Sequence, residues 1–188
     1  MVYSMDLMGY TKFKEGNVMK TIILTMDELF RSMEQIEIKE ADLGGPPHCH
    51  QFFELVLFLE EGGMHYVNNV GYPVNRGDIW LLPPDVEHYY EDGVVPGETG
   101  VGVPVLNCIC SDNLIQDFFA EVAQGDFVFE AYFDIRKNML KEPIFIRGDM
   151  IGNVVDDFYV LQEELHAKQE GYLSLTIQIV TIILWTLY

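Results

Sequence analysis

The chain has 188 residues, of which 30 are acidic and 11 basic, for a formal charge of −19. So acidic a chain offers no basic surface to a phosphate backbone, which argues against direct nucleic-acid binding by these residues. Hydrophobic residues at 49% and charged residues at 22% are globular proportions, enough for one sizeable core and too apolar for wholesale disorder.

The first residues, MVYSMDLMGYTKFKEG, lack the basic-then-apolar layout of a signal peptide. The three cysteines, Cys49, Cys108 and Cys110, form no disulfide framework, so a reducing, cytoplasmic setting is expected. The most apolar stretch, Leu173 to Tyr188, is too short and too hydroxyl-rich for the ~20 apolar residues of a membrane span.

Residues 1–20 read as an N-terminal arm, and the next segment, 21–110, as a β-domain. Ile22 to Leu24, Ile36 to Ile38, Phe52 to Leu59, Met64 to Val67, Ile79 to Leu82 and Val101 to Ile109 are short apolar or β-branched runs. Gly-Gly, Pro-Pro, Asn-Asn and Arg-Gly-Asp clusters punctuate them, as expected of an all-β sandwich or barrel. From residue 111 the spacing turns helical, and 111–188 reads as a helical region packed on the barrel within one structural domain.

Ser111-Asp112-Asn113 predicts a cap before Leu114, Ile115, Phe118, Phe119 and Val122, with an end at Gly125. A second helix is expected from about Gly148-Asp149 to Gly171, with Ile151, Val154, Val155, Phe158, Leu161 and Leu165 on one face. The last segment carries two apolar stripes: Leu173, Ile177, Val180, Leu184 and Leu187, and then Leu175, Ile179 and Ile182. A surface helix on a small barrel needs one apolar face, so the second stripe is expected to meet a second copy of the chain. The alternative is a helix sandwiched within its own domain.

The chemistry-bearing stretch is His48-Cys49-His50-Gln51-Phe52-Phe53-Glu54, followed by Gly77-Asp78-Ile79-Trp80-Leu81-Leu82-Pro83 and His88. Read as one continuous strand, His48, His50 and Glu54 share a face with Phe52, Val56 and Phe58. Imidazole nitrogens and a carboxylate suit zinc, nickel, iron or manganese, and His88 completes a set of four ligands. The same four residues also make sense as a buried hydrogen-bonded cluster without a metal. The opposite face, Phe53, Leu55, Leu57 and Leu59, is apolar too, so helices or a second sheet are expected to cover it.

Two histidines separated by one residue, a glutamate four further on, and a later Gly-x5-Pro leading to a histidine resemble the two motifs of cupins, small double-stranded β-helix (jelly-roll) barrels. Asp85 and Asp92 stand where the motif has glycine and asparagine. The run HCHQFFELVLFLEEGGMHYVNNVGYPVNRGDIWLLPPDVEHYY is similar to the N-terminal effector domain of AraC-type transcriptional regulators. That resemblance implies a mainly-β cupin barrel followed by C-terminal α-helices, a non-enzyme that binds a small-molecule effector, sugar-like or another metabolite, and dimerises through its helices. It also implies a separate C-terminal helix-turn-helix domain that contacts DNA, consistent with a chain that stops inside an apolar helix at Tyr188.

Parity with the histidines nominates Phe52, Val56, Phe58 and Tyr90, with Trp80 from its own strand, as effector-binding residues; simple core packing is the competing role. Of His65 and Tyr66, which face opposite ways, at most one reaches the interior. Cys108 and Cys110 are expected to be packed thiols. A stand-alone cupin metalloenzyme, of dioxygenase or isomerase type, is the rival reading.

Overall fold

The computed structural model describes residues 22–24, 36–43, 46–91, 102–123, 133–134, 139–140, 142–148 and 153–187. The expected N-terminal arm, the Gly125 terminus and Ile151 lie outside them.

Among the described residues, twelve strands precede the last two helices. One five-stranded sheet runs β1 (Ile22–Leu24), β3 (His48–His50), β8 (His88–Glu91), β5 (Met64–Val67) and β6 (Val70–Pro73). The other runs β12 (Ile144–Ile146), β7 (Ile79–Leu82), β4 (Phe53–Phe58), β9 (Val103–Cys110) and β2 (Ile36–Leu43). β1 and β3 pair in parallel and the other pairings within these sheets are antiparallel. A short hairpin of β10 (Phe133–Asp134) and β11 (Met139–Leu140) follows α1 (Asp112–Ala123).

Two layers of core explain why β4 is apolar on both faces. Val56 and Phe58 point between the sheets, where they join Val67, Trp80, Leu82, Tyr90 and Val105. Phe53, Leu55 and Leu57 point the other way, against α1, α2 (Val154–Ala167) and α3 (Tyr172–Leu187), through Phe118, Phe158, Leu161 and Ile183. The cover expected over the outer face is therefore helical. Alternation of side chains across a pleated strand assigns each residue to one layer or the other.

Continuity from His48 to Phe58 is not observed. The chain bends at Gln51-Phe52, leaving His48 and His50 on β3 in one sheet and Glu54 on β4 in the other. The helix expected to end at Gly171 ends at Ala167: Lys168 adopts the left-handed conformation, and its N–H returns to the Glu164 carbonyl. Gly171, also at positive φ, turns the chain into α3.

On α3 the two sequence stripes do not separate an inner from an outer face. Ile179, Val180, Ile183 and Leu184 are buried against the domain. Leu173, Leu175, Ile177, Ile182 and Trp185 are exposed. Ile179, at 6% exposure, therefore faces its own core and not a partner, whereas Leu175 at 41% and Ile182 at 52% stay outside. The physical reason is the 3.6-residue period, which sets Ile179 beside Thr176, Val180 and Ile183.

Candidate functional site in the barrel

Sheet pairing brings the histidines together across the barrel interior. His48 on β3 sits opposite His88 on β8, and their ring centroids are 4.3 Å apart. The bend at Gln51-Phe52 then lets Glu54 reach back from the opposing sheet. Its Oε2 lies 3.1 Å from His50 Nε2 and 3.3 Å from His88 Nε2. Asn107 Nδ2 on β9 donates to Oε1 of the same carboxylate. All five side chains are buried.

The hydrogen-bond partners assign protons. His50 Nδ1 faces the Phe52 carbonyl oxygen at 2.7 Å, and a carbonyl can only accept, so Nδ1 carries a proton. Nε2 then points at a carboxylate oxygen, which also only accepts. The contact is sound if Nε2 is protonated as well, or if a cation lies between the two atoms. Burial pushes the Glu54 carboxyl up, but His50 chiefly, with His88 and Asn107, outweighs it and holds the group well below the usual carboxylate range. Burial keeps His88 and His48 below the usual histidine range, hence neutral near pH 7. Glu54 is therefore the ionised member, and His88 Nε2 stands 3.3 Å from it.

Of the four residues nominated as metal ligands, His50, Glu54 and His88 present ligand atoms within 4.8 Å of one another. His48 is buried beside them, but its Nδ1 donates to the Pro46 carbonyl at 3.1 Å and it stands outside that group. The set of two imidazoles and a carboxylate fits a borderline divalent metal. His50, fixed through Nδ1 by a carbonyl with Nε2 directed inward, has the orientation such ligands take.

The residues nominated as effector-lining are all buried. Phe52 stacks flat on the His50 ring, with centroids 4.4 Å apart. Val56, Phe58, Trp80 and Tyr90 belong to the layer between the sheets. Trp80 stacks on Phe145 at 4.6 Å and meets Tyr72 edge-on at 4.8 Å. Tyr90 donates its hydroxyl proton to the Gly62 carbonyl at 2.6 Å. Gly63, at φ +65°, makes this possible, because a Cβ there would collide with the Tyr90 hydroxyl.

The open question of His65 against Tyr66 is resolved by the β5 register. His65 pairs with Tyr90 and Tyr72 and points inward, at 1% exposure. Tyr66 is only half-buried and stacks on Tyr89 at 4.7 Å. Asn107 went unrecognised in the sequence. The available signal was a lone amide in the apolar run Val103–Cys110, at even spacing from Val105 and Val103. Cys108 and Cys110, with Sγ atoms 3.7 Å apart, are buried free thiols in the layer under the helices.

The fold and site define a cupin-like barrel with a buried His-Glu-Asn cluster and helices over one sheet. Residues 24–96 match the family described as "AraC-like ligand binding domain". That segment is thus similar to the ligand-binding domain that its motifs resemble. The HTH-type transcriptional activator RhaR of Pectobacterium carotovorum is 39% identical over 46 residues, spanning 24% of this chain and 16% of that protein. Among solved structures, ToxT of Vibrio cholerae superposes with a TM-score of 0.48 at 12% identity, covering 79% of this chain and 52% of its own. Salicylate 1,2-dioxygenase from Pseudoaminobacter salicylatoxidans does so with a TM-score of 0.35 at 20% identity, covering 44% of this chain and 24% of its own. Among the described residues no helix is long and apolar enough to cross a membrane.

Proposed function

We propose that this chain is the effector-sensing and dimerisation part of an AraC-type transcription regulator of the cytoplasm. The observation that carries the reading is the match of residues 24–96 to a ligand-binding family, over a stretch that encloses a polar cluster between two sheets. A small molecule enters the barrel among Val56, Phe58, Trp80 and Tyr90, with the cluster as its polar floor. A ligand shifts a conformational equilibrium only through unequal affinity for the two states, so the response requires an element that rearranges. Among the described residues, α3 suits that role.

Dimerisation would use the exposed face of α3. This helix has no charged residue over Tyr172–Leu187, in a chain carrying −19 overall, so two copies can approach there without like-charge repulsion. Leu175 and Ile182 would lie in that contact. DNA contact belongs to a further domain of the regulator. The experiment is promoter binding by the full-length regulator, titrated with sugars and other small metabolites. Altered promoter affinity supports sensing, and no change across the panel refutes it.

One observation favours a second reading, a metal-dependent cupin. Two acceptor atoms, His50 Nε2 in its neutral form and Glu54 Oε2, face each other at 3.1 Å. His50, Glu54 and His88 would hold the metal, with His48 as a nearby fourth candidate. When bound, zinc, nickel, iron or manganese would supply a Lewis-acidic centre for an effector or a substrate. The protein's own contribution is to orient His50 through the Phe52 carbonyl and Glu54 through Asn107. Metal-dependent turnover that disappears in His50→Ala would establish a dioxygenase- or isomerase-type enzyme instead of a sensor.

A further inference from the structure

The barrel interior and the helical layer are bridged by a strand at the rim of its sheet. β12 pairs with β7 alone, Ile144 opposite Leu81, Phe145 opposite Trp80 and Ile146 opposite Ile79. Alternation divides its side chains between the two layers of core. Phe145 packs on the layer between the sheets, and Ile144 and Ile146 on the layer under the helices, to which Phe158 and Leu161 of α2 belong. β4 and β7 also reach both layers, but each has a strand on either side and is buried throughout, whereas the three residues of β12 are half-buried. A short strand held on one side opens at a lower free energy than the strands inside its sheet.

The inward contact of β12 is a stack of rings. Phe145 lies on Trp80 with centroids 4.6 Å apart and planes 18° from parallel. Trp80 in turn meets His65 edge-on at 5.3 Å and Tyr72 at 4.8 Å, so whatever presses on this indole from the barrel bears on β12. The far end of the strand is pinned. The Asp78 carboxylate, 2% exposed, accepts from the Gly148 N–H through Oδ1 at 2.9 Å. Its Oδ2 accepts from the Asn75 N–H and from the Asn75 side-chain amide, both at 3.1 Å. Gly148 passes Gly77 so closely that a Cβ on it would stand 2.5 Å from the Gly77 carbonyl carbon. In sequence, residues 149–152 alone separate this pin from Asn153, whose carbonyl accepts the Asp156 N–H at the start of α2.

We propose that β12 carries the state of the barrel to the helices: Phe145 moves with Trp80, the strand swings about the Asp78–Gly148 pin, and Ile144 and Ile146 displace the layer on which α2 and α3 rest. The inference rests on the small-molecule reading above and supplies its route of regulation. Two ligands of equal affinity then differ in effect if one displaces the Trp80–Phe145 stack and the other leaves it in place, because only unequal contact with two arrangements shifts their balance. Phe145 is a positioning residue, acting on the helices through its neighbours on the strand, and Asp78 sets the axis.

Hydrogen exchange of the full chain, followed by mass spectrometry at pH 7 with no ligand added, tests this route separately from sensing. Phe145→Ala removes the stack, and exchange is expected to rise about tenfold or more in β12 and along α2, while β4 and β9 keep their protection. Phe145→Trp, which restores an aromatic face, should return α2 toward wild type. Asp78→Asn leaves one acceptor oxygen for three donors and should raise exchange in α2 through the pin alone. If Phe145→Ala does not fold, Phe145→Leu makes the same comparison, with a rise of about threefold or more expected in α2. A rise confined to β12, a uniform rise across both sheets, or wild-type exchange in α2 with either end of the strand altered overturns the proposal. Such a failure leaves small-molecule sensing to the promoter titration, and a promoter titration without response leaves the exchange result standing.

Discussion

Glu54→Gln tests the cluster most directly, because the substitution preserves volume and removes the charge. In the wild-type side chain, Oε2 accepts from His50 at 3.1 Å and lies 3.3 Å from His88 Nε2, and Oε1 accepts from Asn107. Glutamine has one acceptor oxygen. In one orientation its amide faces the His50 N–H, and in the other it faces the Asn107 amide, so at least one buried donor is orphaned. Orphaned donors cost about 1–3 kcal/mol each, and breaking a buried ion pair about 3–5 kcal/mol, so a loss near 3–5 kcal/mol is expected. For a chain of this length that is roughly 10 °C in melting temperature. The assay is urea unfolding at pH 7 in excess EDTA, followed by far-UV circular dichroism. A cycle with His50→Gln should return a coupling above about 1 kcal/mol. Unfolding within about 0.5 kcal/mol of wild type would refute the reasoning, because it would mean that His50 Nε2 carries no proton toward Glu54. Zinc added without EDTA should then stabilise the wild-type chain and not Glu54→Gln, the signature of a cation between them.

Burial pushes His65 down to about 4, so between pH 6.5 and 4 the unfolded chain binds a proton that the folded chain refuses. Stability present above pH 6.5 is therefore lost as pH falls through that window, by about 3 kcal/mol from His65 alone, and the urea midpoint should track it. Glu54, held low in the folded state, adds a loss in the same direction below its ordinary range. On α3, Ile182→Glu should abolish self-association in sedimentation velocity with unchanged melting, whereas Ile179→Glu should unfold the domain, since it buries a carboxylate without a partner. An unaltered dimer in Ile182→Glu would place the interface elsewhere. Gly63→Ala forces a side chain into left-handed backbone and against the Tyr90 hydroxyl, so a loss of about 1–3 kcal/mol is expected in the same unfolding assay.

The parts of this structure that could be read in advance are those governed by a local period. Alternation along Phe53–Phe58 marked a strand buried on both faces, and the structure supplies the two layers that bury it. The same alternation carried across Gln51-Phe52 failed, because a bend between sheets is a tertiary decision that leaves no periodic trace. Yet the ligand motif survived the broken strand: His50 and Glu54 meet because they sit on facing sheets and not because they share a face. Asn107 was invisible for a related reason, being 53 residues from Glu54 in sequence and joined to it only by the pairing of β4 with β9. On α3, apolar residues cover most of the circumference, so no stripe could be assigned to the core until Phe158 and Leu161 on α2 defined which side was inner. Polar atoms gave the sharper guide at the site: Glu54 gathers the contacts of three side chains, and His65 Nδ1 and Nε2, His88 Nδ1 and Asn107 Oδ1 are left unmet beside it. A barrel filled only for stability would have packed a leucine in place of His65. The unmet atoms are thus the feature that stability alone does not explain.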